Sequence, residues 1–221
     1  MVELRGVSCT REGAAVRDIS ICFAPASLCV LRGDAGCVLL LRIASLLDIP
    51  DKGGVLFDGQ PAHTMDEFTR GAMRSRRFGF VFDAPFLLPA FSIVENVAMP
   101  LLKLLGTEYD EALARTHAAL KFVGLPETAC EAGVLNPFDQ QRVALARALV
   151  HEPQVLVLDR ADATLALPES AALLALARRA RDERGVTVLA VLATPAEEHH
   201  RDRVLAVEDG AVLLDSERST S

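Results

Sequence analysis

The chain opens with short apolar pieces. Residues 2–8 and 15–32 alternate or run apolar between REG and APAS, which predicts antiparallel strands. VLLLRIASLL (38–47) has helical length and apolar residues at i, i+3 and i+4, and GGVLFDGQP (53–61) reads as a strand closed by an Asp-Gly turn. FGFVF (78–82) predicts a buried strand. After Pro85 the period turns helical, through SIVENVAMPLLKLL, DEALARTHAALKFVGL and PFDQQRVALARALVHEP. In the last of these Pro137 suits a first helical turn and Pro153 closes the helix. QVLVLD (154–159) is a continuous apolar run ending in a carboxylate, the pattern of a buried parallel strand. SAALLALARRARDERG predicts a helix ending at Gly185, VTVLAVLA a further buried strand, and DRVLAVEDGAVLLD a hairpin about Asp209-Gly210. Strands alternating with helices imply an α/β fold with a doubly wound parallel sheet. A helical insertion is expected at about 85–150, within one domain over 1–215, followed by a polar tail over 216–221.

Composition narrows the partners. Of 221 residues, 51% are hydrophobic, 5% are aromatic and none is Trp, which suits an Ala/Leu/Val-rich α/β protein. A formal net charge of −7 gives no pull toward nucleic acid or anionic lipid, so nucleic acid is not an expected partner. The one basic cluster, RGAMRSRR (70–77), reads as a solvated helix face. Five cysteines without C-x-x-C spacing are expected as reduced thiols of a cytosolic protein. MVELRGVSCT has no signal-peptide pattern, and no run reaches the ~18 apolar residues of a membrane span. Any membrane role is therefore expected to be peripheral. The adjacent His199 and His200 are expected to be exposed rather than to hold a metal, and His63, His117 and His151 carry no pattern.

Four segments carry a likeness in order and spacing across nearly the whole chain: LLRIASLLDIPDKGGVLFDGQ (40–60), FGFVFDAPFLLPAFSIVENVAMPLL (78–102), DQQRVALARALVHEPQVLVLD (139–159) and DRVLAVEDGAVLL (202–214). The chain resembles the nucleotide-binding subunits of ABC transporters, closest to the subgroup serving lipoprotein-release, macrolide-export and FtsX-like permeases. The resemblance implies a P-loop NTPase fold: a RecA-like parallel-sheet core, a small antiparallel β subdomain and an α-helical subdomain. It also implies a dimer of such subunits on a permease, with Mg-ATP bound between them.

The residues of the chemistry depart from that pattern. The family's phosphate loop reads G-x-x-G-x-G-K-[S/T]-T before L-L-R. Here Gly33, Asp34, Ala35, Gly36 and Cys37 run straight into Val38-Leu39-Leu40-Leu41-Arg42, two residues short, without the Lys or the hydroxyl pair. That Lys reaches the β- and γ-phosphates and the hydroxyl holds Mg²⁺. Asp34 places a carboxylate beside the phosphate position, while Leu39 and Leu40 read as core. Arg11 stands where the family stacks an aromatic ring on adenine. Asp83 holds the position of the loop glutamine. The signature becomes Leu135, Asn136, Pro137, Phe138, Asp139 and Gln140, in which Pro137 has no N–H and Phe138 fills the space of a glycine. Asp159 keeps the strand-end carboxylate that would orient Mg²⁺, a vestigial metal position. Arg160, at the glutamate that polarises water, cannot accept a proton. Ala166 replaces the D-loop aspartate and Ala193 the switch histidine.

By contrast the segment resembling the permease-docking region is intact, with Phe86, Leu87, Leu88, Phe91 and Ile93 close together. The expectation is a pseudo-ATPase: a structural or regulatory ABC subunit on the inner face of the membrane. Its partners would be a permease of FtsX/MacB-like type and a second ABC subunit, and no cofactor is expected. A weakly active ATPase and a soluble interaction protein reusing the fold are the alternatives.

Overall fold

The computed structural model describes residues 1–126, 130–194 and 202–216. The first two strands, β1 (Val2–Arg11) and β2 (Ala14–Phe23), form the expected hairpin, with apolar residues facing one side. The apolar run continues past Phe23, but after the Ala24–Ser27 turn it enters a different sheet. β3 (Leu28–Gly33) pairs parallel with two later strands, so the antiparallel expectation for 15–32 is corrected at that turn. Its burial explains the change: Leu28 to Leu31 are all buried, as both faces of a central parallel strand must be.

Helix α1 (Ala35–Ala44) is apolar on nearly every side because it is wedged between two sheets. Leu39, Leu40, Leu41 and Ile43 are buried, and Arg42 escapes to pair with Asp48 at 2.6 Å. β4 (Lys52–Phe57) and β5 (Gln60–Pro61) close about Asp58-Gly59 and complete a four-stranded antiparallel sheet in the order β2-β1-β4-β5. α2 (Glu67–Arg77) carries the basic cluster. Its face is mostly solvated, but Arg70 is buried, bonded to the Met65 carbonyl at 3.0 Å and paired with Glu67.

The main sheet has six strands. β6 (Phe78–Phe82), β7 (Val155–Asp159), β8 (Thr187–Val191), β3 and β9 (Arg203–Glu208) are parallel, and β10 (Ala211–Asp215) returns antiparallel, in the order β10-β9-β3-β8-β7-β6. Period-two alternation splits the central strands β3, β7 and β8 between two cores. Val155 and Val157 pack on the side of α1, while Leu156 and Leu158 pack on the side of the helical subdomain.

That subdomain holds α3 (Ile93–Met99), α4 (Tyr109–Phe122) and α5 (Pro137–Leu149), with a π-helical stretch over Pro100–Leu105 where Pro100 cannot donate to the α-helical ladder. Pro137 occupies the first turn of α5. α6 (Leu167–Arg184) begins three residues before the predicted segment and stops at Gly185. No described helix is long and apolar enough to cross a membrane.

Candidate functional site

Four parallel strands deliver the candidate residues to one edge. β3 leads to Asp34, β6 to Asp83, β7 to Asp159 and Arg160, and β8 to Ala193. All lie at the carboxyl ends of the strands, where open α/β sheets place their ligands.

Asp34 organises the first of these ends. Gly33 (φ +132°) passes so close to β9 that a Cβ would lie 1.9 Å from the Val207 carbonyl oxygen, and the Asp34 N–H donates to that oxygen at 3.2 Å. Asp34 then caps α1. Its Oδ1 accepts the Gly36 N–H at 2.7 Å, and its Oδ2 accepts the Asp209 N–H from the β9–β10 turn at 2.8 Å. The Asp34 carbonyl takes the Cys37 N–H at 3.1 Å and the Cys37 thiol at 2.9 Å. A Cβ on Gly36 would lie 2.7 Å from the Ala15 carbonyl oxygen. The positive end of α1, which favours an anion, is thus occupied by the chain's own carboxylate. Helix begins at Ala35, leaving no loop to wrap a phosphate. Arg11, at the end of β1, pairs with Asp51 at 2.8 Å.

At the end of β7, burial raises the Asp159 carboxyl above its ordinary value, with Asp83 adding to the rise and Arg160 and Arg42 opposing it. Arg160 sits at φ +49° with its N–H on the Val191 carbonyl at 2.8 Å. Its guanidinium reaches Asp83 at 3.6 Å. The two positions that hold a glutamine and a glutamate in the resembled pattern thus form a half-exposed ion pair, a contact worth about 0–1 kcal/mol.

Sequence reading passed over the tightest polar cluster in this region. Asp162 is fully buried and accepts the Ala193 N–H at 2.8 Å, the Thr194 N–H at 3.0 Å, the Ser170 hydroxyl at 2.8 Å and the Thr194 hydroxyl. Burial alone would raise its carboxyl, but the bonds from Thr194, Ala193 and Ser170 outweigh that and hold it low. Asp162 therefore ties the turn after β7 to the turn after β8, fixing the backbone at Ala193. Ala166 precedes α6, its N–H bonded to Glu169 at 3.1 Å. A lone Asp in RADATLAL offers no local sign of such a role.

The signature segment is likewise closed on itself. Leu135 ends a short 3₁₀ turn, and Asn136 caps α5 by accepting the Asp139 N–H at 2.8 Å. The Asp139 carboxylate holds Arg142 at 3.0 Å and accepts from the Asn136 amide at 3.0 Å. Phe138 lies under the Arg142 guanidinium, 4.9 Å from ring centroid to carbon, and Gln140 donates to the Leu135 carbonyl at 3.0 Å. Gln141, unremarked in the sequence, is buried and donates to the carbonyls of Phe82 and Asp83 at 3.0 and 2.9 Å, joining α5 to the end of β6.

The five expected docking residues do not form one surface. Ile93, the first residue of α3, is 1% exposed and belongs to the helical core, and Leu87 packs against that core from the preceding loop. Phe86, Leu88 and Phe91 are exposed, Phe86 resting edge-on against Phe82 with centroids 5.9 Å apart. Phe91 opens onto an apolar groove with Val94, Met99, Leu102, Tyr109 and Leu113. Buried Asn96 braces the loop, accepting the Leu88 N–H at 2.8 Å and donating to the Leu88 and Ser92 carbonyls at 3.0 Å. Arg147 adds bonds to the Pro85 and Phe86 carbonyls at 2.7 Å each. Neither brace was legible beforehand. Among the described residues no three His, Cys, Asp or Glu side chains gather as a metal site, and His199 and His200 lie outside the described residues.

Comparison with known proteins extends the geometry. Residues 16–163 match the ABC transporter family. The chain is 30% identical over 221 residues to the lipoprotein-releasing system ATP-binding protein LolD of Hyphomonas neptunium, covering 96% of each chain. It is 35% identical over 205 residues to the macrolide export ATP-binding/permease protein MacB of Syntrophobacter fumaroxidans, covering 91% of this chain and 29% of that relative. A LolD of Bordetella pertussis is 35% identical over 201 residues, with 90% of this chain and 87% of the relative covered. Among solved structures, the dimeric bacterial ABC transporter cassette MJ0796 superposes with a TM-score of 0.81 over 97% of both chains at 24% identity, a likeness of fold. The chain belongs to the ABC transporter family, among the nucleotide-binding subunits of the lipoprotein-release and macrolide-export subgroup.

Proposed function

We propose that this subunit has given up ATP turnover and serves as a structural or regulatory partner of an FtsX/MacB-like permease, on the cytoplasmic face of the membrane and paired with a second ABC subunit. The observation that carries the reading is Asp34, whose carboxylate takes the Gly36 and Asp209 N–H groups at the start of α1. The residues present do not fit Mg-ATP. A phosphate arriving there would displace a bonded carboxylate or stand beside it, with no Lys or hydroxyl in Gly36 to Leu41 to compensate. Charge-assisted bonds contribute about 1.5–3 kcal/mol each, so losing two or three weakens nucleotide binding by about 10³-fold or more. Arg160, engaged with Asp83, is not a base. On the signature side Pro137 offers no N–H and Asn136 caps the helix, so pairing with a normal subunit repairs neither shared site.

Titration calorimetry with Mg-ATP tests the reading. The expected result is negligible heat of binding and turnover no greater than a no-enzyme control, unrescued by Arg160→Glu. Low-micromolar affinity, or robust hydrolysis after that single change, refutes it. A second reading, a weak or atypical ATPase, draws on the retained Asp159 and on the names of the relatives, which are ATP-binding proteins. It requires a measurable affinity in the same titration.

A further inference from the structure

A cavity of about 300 Å³ opens at the amino ends of β7 and β8, the edge of the sheet opposite the strand ends that lead to Asp34, Asp83 and Asp159. It is lined by Arg115 and Ala118 of α4, Val150 after α5, Glu152 before β7, Arg184 at the end of α6 and Val186 before β8. That volume suits a small molecule rather than a protein segment.

Two guanidiniums from different helices line it with donors unused. Arg115 gives one terminal nitrogen to the Val150 carbonyl at 3.1 Å and sets the other 3.5 Å from exposed Glu111, while its buried Nε has no partner among the described residues. Arg184 lies over the Phe122 ring, 4.0 Å from the centroid, and its guanidinium meets no hydrogen-bond acceptor or paired carboxylate among the described residues. A ring contact of this kind holds a guanidinium in place without using its N–H groups. Arg179 covers the same ring at 3.9 Å but is already engaged, with Glu183 at 3.3 Å and with the Phe122 carbonyl. Partial burial pulls the Arg184 guanidinium below its ordinary value, with Arg179 adding to the fall and Glu152 and Glu183 opposing it. A partly desolvated cation without an acceptor favours an anion that supplies one.

We propose that this cavity binds a small organic carboxylate, its head group shared by Arg115 and Arg184 and its apolar body set against Ala118, Val150 and Val186. The lining selects that class. A neutral ligand would leave the Arg115 Nε and the Arg184 guanidinium without an acceptor. A bare inorganic anion would make no use of the apolar wall. A polyanion would face the Glu152 carboxylate and the carbonyl ends of α5 and α6, both of which resist further negative charge. A single planar carboxylate matches the guanidinium fork. Because the cavity lies at the other edge of the sheet, its occupancy does not depend on whether Mg-ATP binds.

The probe is benzoate, titrated at constant ionic strength into the isotope-labelled full chain while amide chemical shifts are followed. Saturable shifts are expected at Ala118, Val150 and Val186, with a dissociation constant of about 1 mM or below. Benzamide, the neutral isostere, should not bind, and phenyl phosphate should bind more weakly than benzoate. Arg184→Gln and Ala118→Glu should each weaken benzoate by about tenfold or more, the loss of one charge-assisted contact. Ala118 is exposed on α4 and Glu is a good helix former, so the second variant should keep the wild-type melting temperature and reads the site even if the first perturbs the fold. Glu152→Gln should tighten benzoate by about twofold to fivefold, by removing a like charge from the lining. No saturable shift at these residues, benzamide binding equally well, or wild-type affinity in Ala118→Glu would overturn the proposal. Phenyl phosphate binding more tightly than benzoate would refute the singly charged head group.

Discussion

Asp34→Ala removes both the cap of α1 and the link to the β9–β10 turn. Loss of an N-cap carboxylate costs about 1 kcal/mol. The charge-assisted bond to the Asp209 N–H would be worth about 1.5–3 kcal/mol if shielded, and about 1 kcal/mol at this exposed position. The sum, about 2 kcal/mol, corresponds to a fall of about 4–8 °C in melting temperature for a chain of this size. Asn is as good a cap as Asp, so Asp34→Asn should fall in between, keeping the geometry and losing the charge. A second arm tests the site itself. With its own carboxylate in place, the wild-type chain should gain nothing specific from sulfate at constant ionic strength. Asp34→Ala, with the Gly36 and Asp209 N–H groups released, should be stabilised by sulfate according to RT ln(1 + [L]/Kd). Urea and thermal unfolding measure both arms. An Asp34→Ala midpoint equal to wild type, or sulfate stabilising both chains alike, would refute the account of a self-occupied helix end.

Asp159→Asn should stabilise the isolated chain at neutral pH, because the fold holds a desolvated carboxylate that the unfolded chain hydrates. Its folded value is raised, so the gain should vanish in acid, where both states are protonated; urea midpoints of the pair at neutral and acid pH check this, and a loss of stability at neutral pH would contradict it. His151 is lowered by burial, aided by Arg115 and opposed by its bond to Phe78, so the fold binds its proton less readily than the unfolded chain. Its contribution to stability should be complete above about 6.5 and be lost as pH falls toward the folded value; the difference between wild type and His151→Gln should track that window, and a flat difference excludes the assignment. Asp162→Ala strips the acceptor from Ser170, Thr194 and the Ala193 N–H, and should cost about 3 kcal/mol or more in urea unfolding, with faster amide exchange at Ala193 and Thr194. Mg-ATP at millimolar concentration should leave the wild-type melting temperature unchanged.

The elements were legible because their signals are local. A short continuous apolar run in QVLVLD, a period near 3.6 in ALLALARRAR, a first-turn proline at Pro137 and a stop at Gly185 act within a few residues, whatever the chain does elsewhere. The positions of Asp34, Asp83, Asp159, Arg160 and Ala193 were legible too, but through the resemblance to the family's motifs, and the structure sets each just at or after the end of a strand. Their partners were not. Asp34 finds the Asp209 N–H only because β9 lies beside β3, and Asp83 meets Arg160 only because β6 lies beside β7. The apolar run from Ala15 to Arg32 could not say where one sheet stops and another starts, since antiparallel and parallel strands bury the same residue types. Ile93 and Phe91 are two apolar residues of one short segment, yet one is core and the other surface, a division made by the direction in which α3 leaves its Ser92 cap. Arg147 is one arginine among many in the chain. Only the packing of α5 beneath the Pro85–Phe86 turn desolvates it, with two backbone carbonyls and no carboxylate among the described residues as its partners, because the energy of a charge depends on what surrounds it and not on its neighbours in sequence.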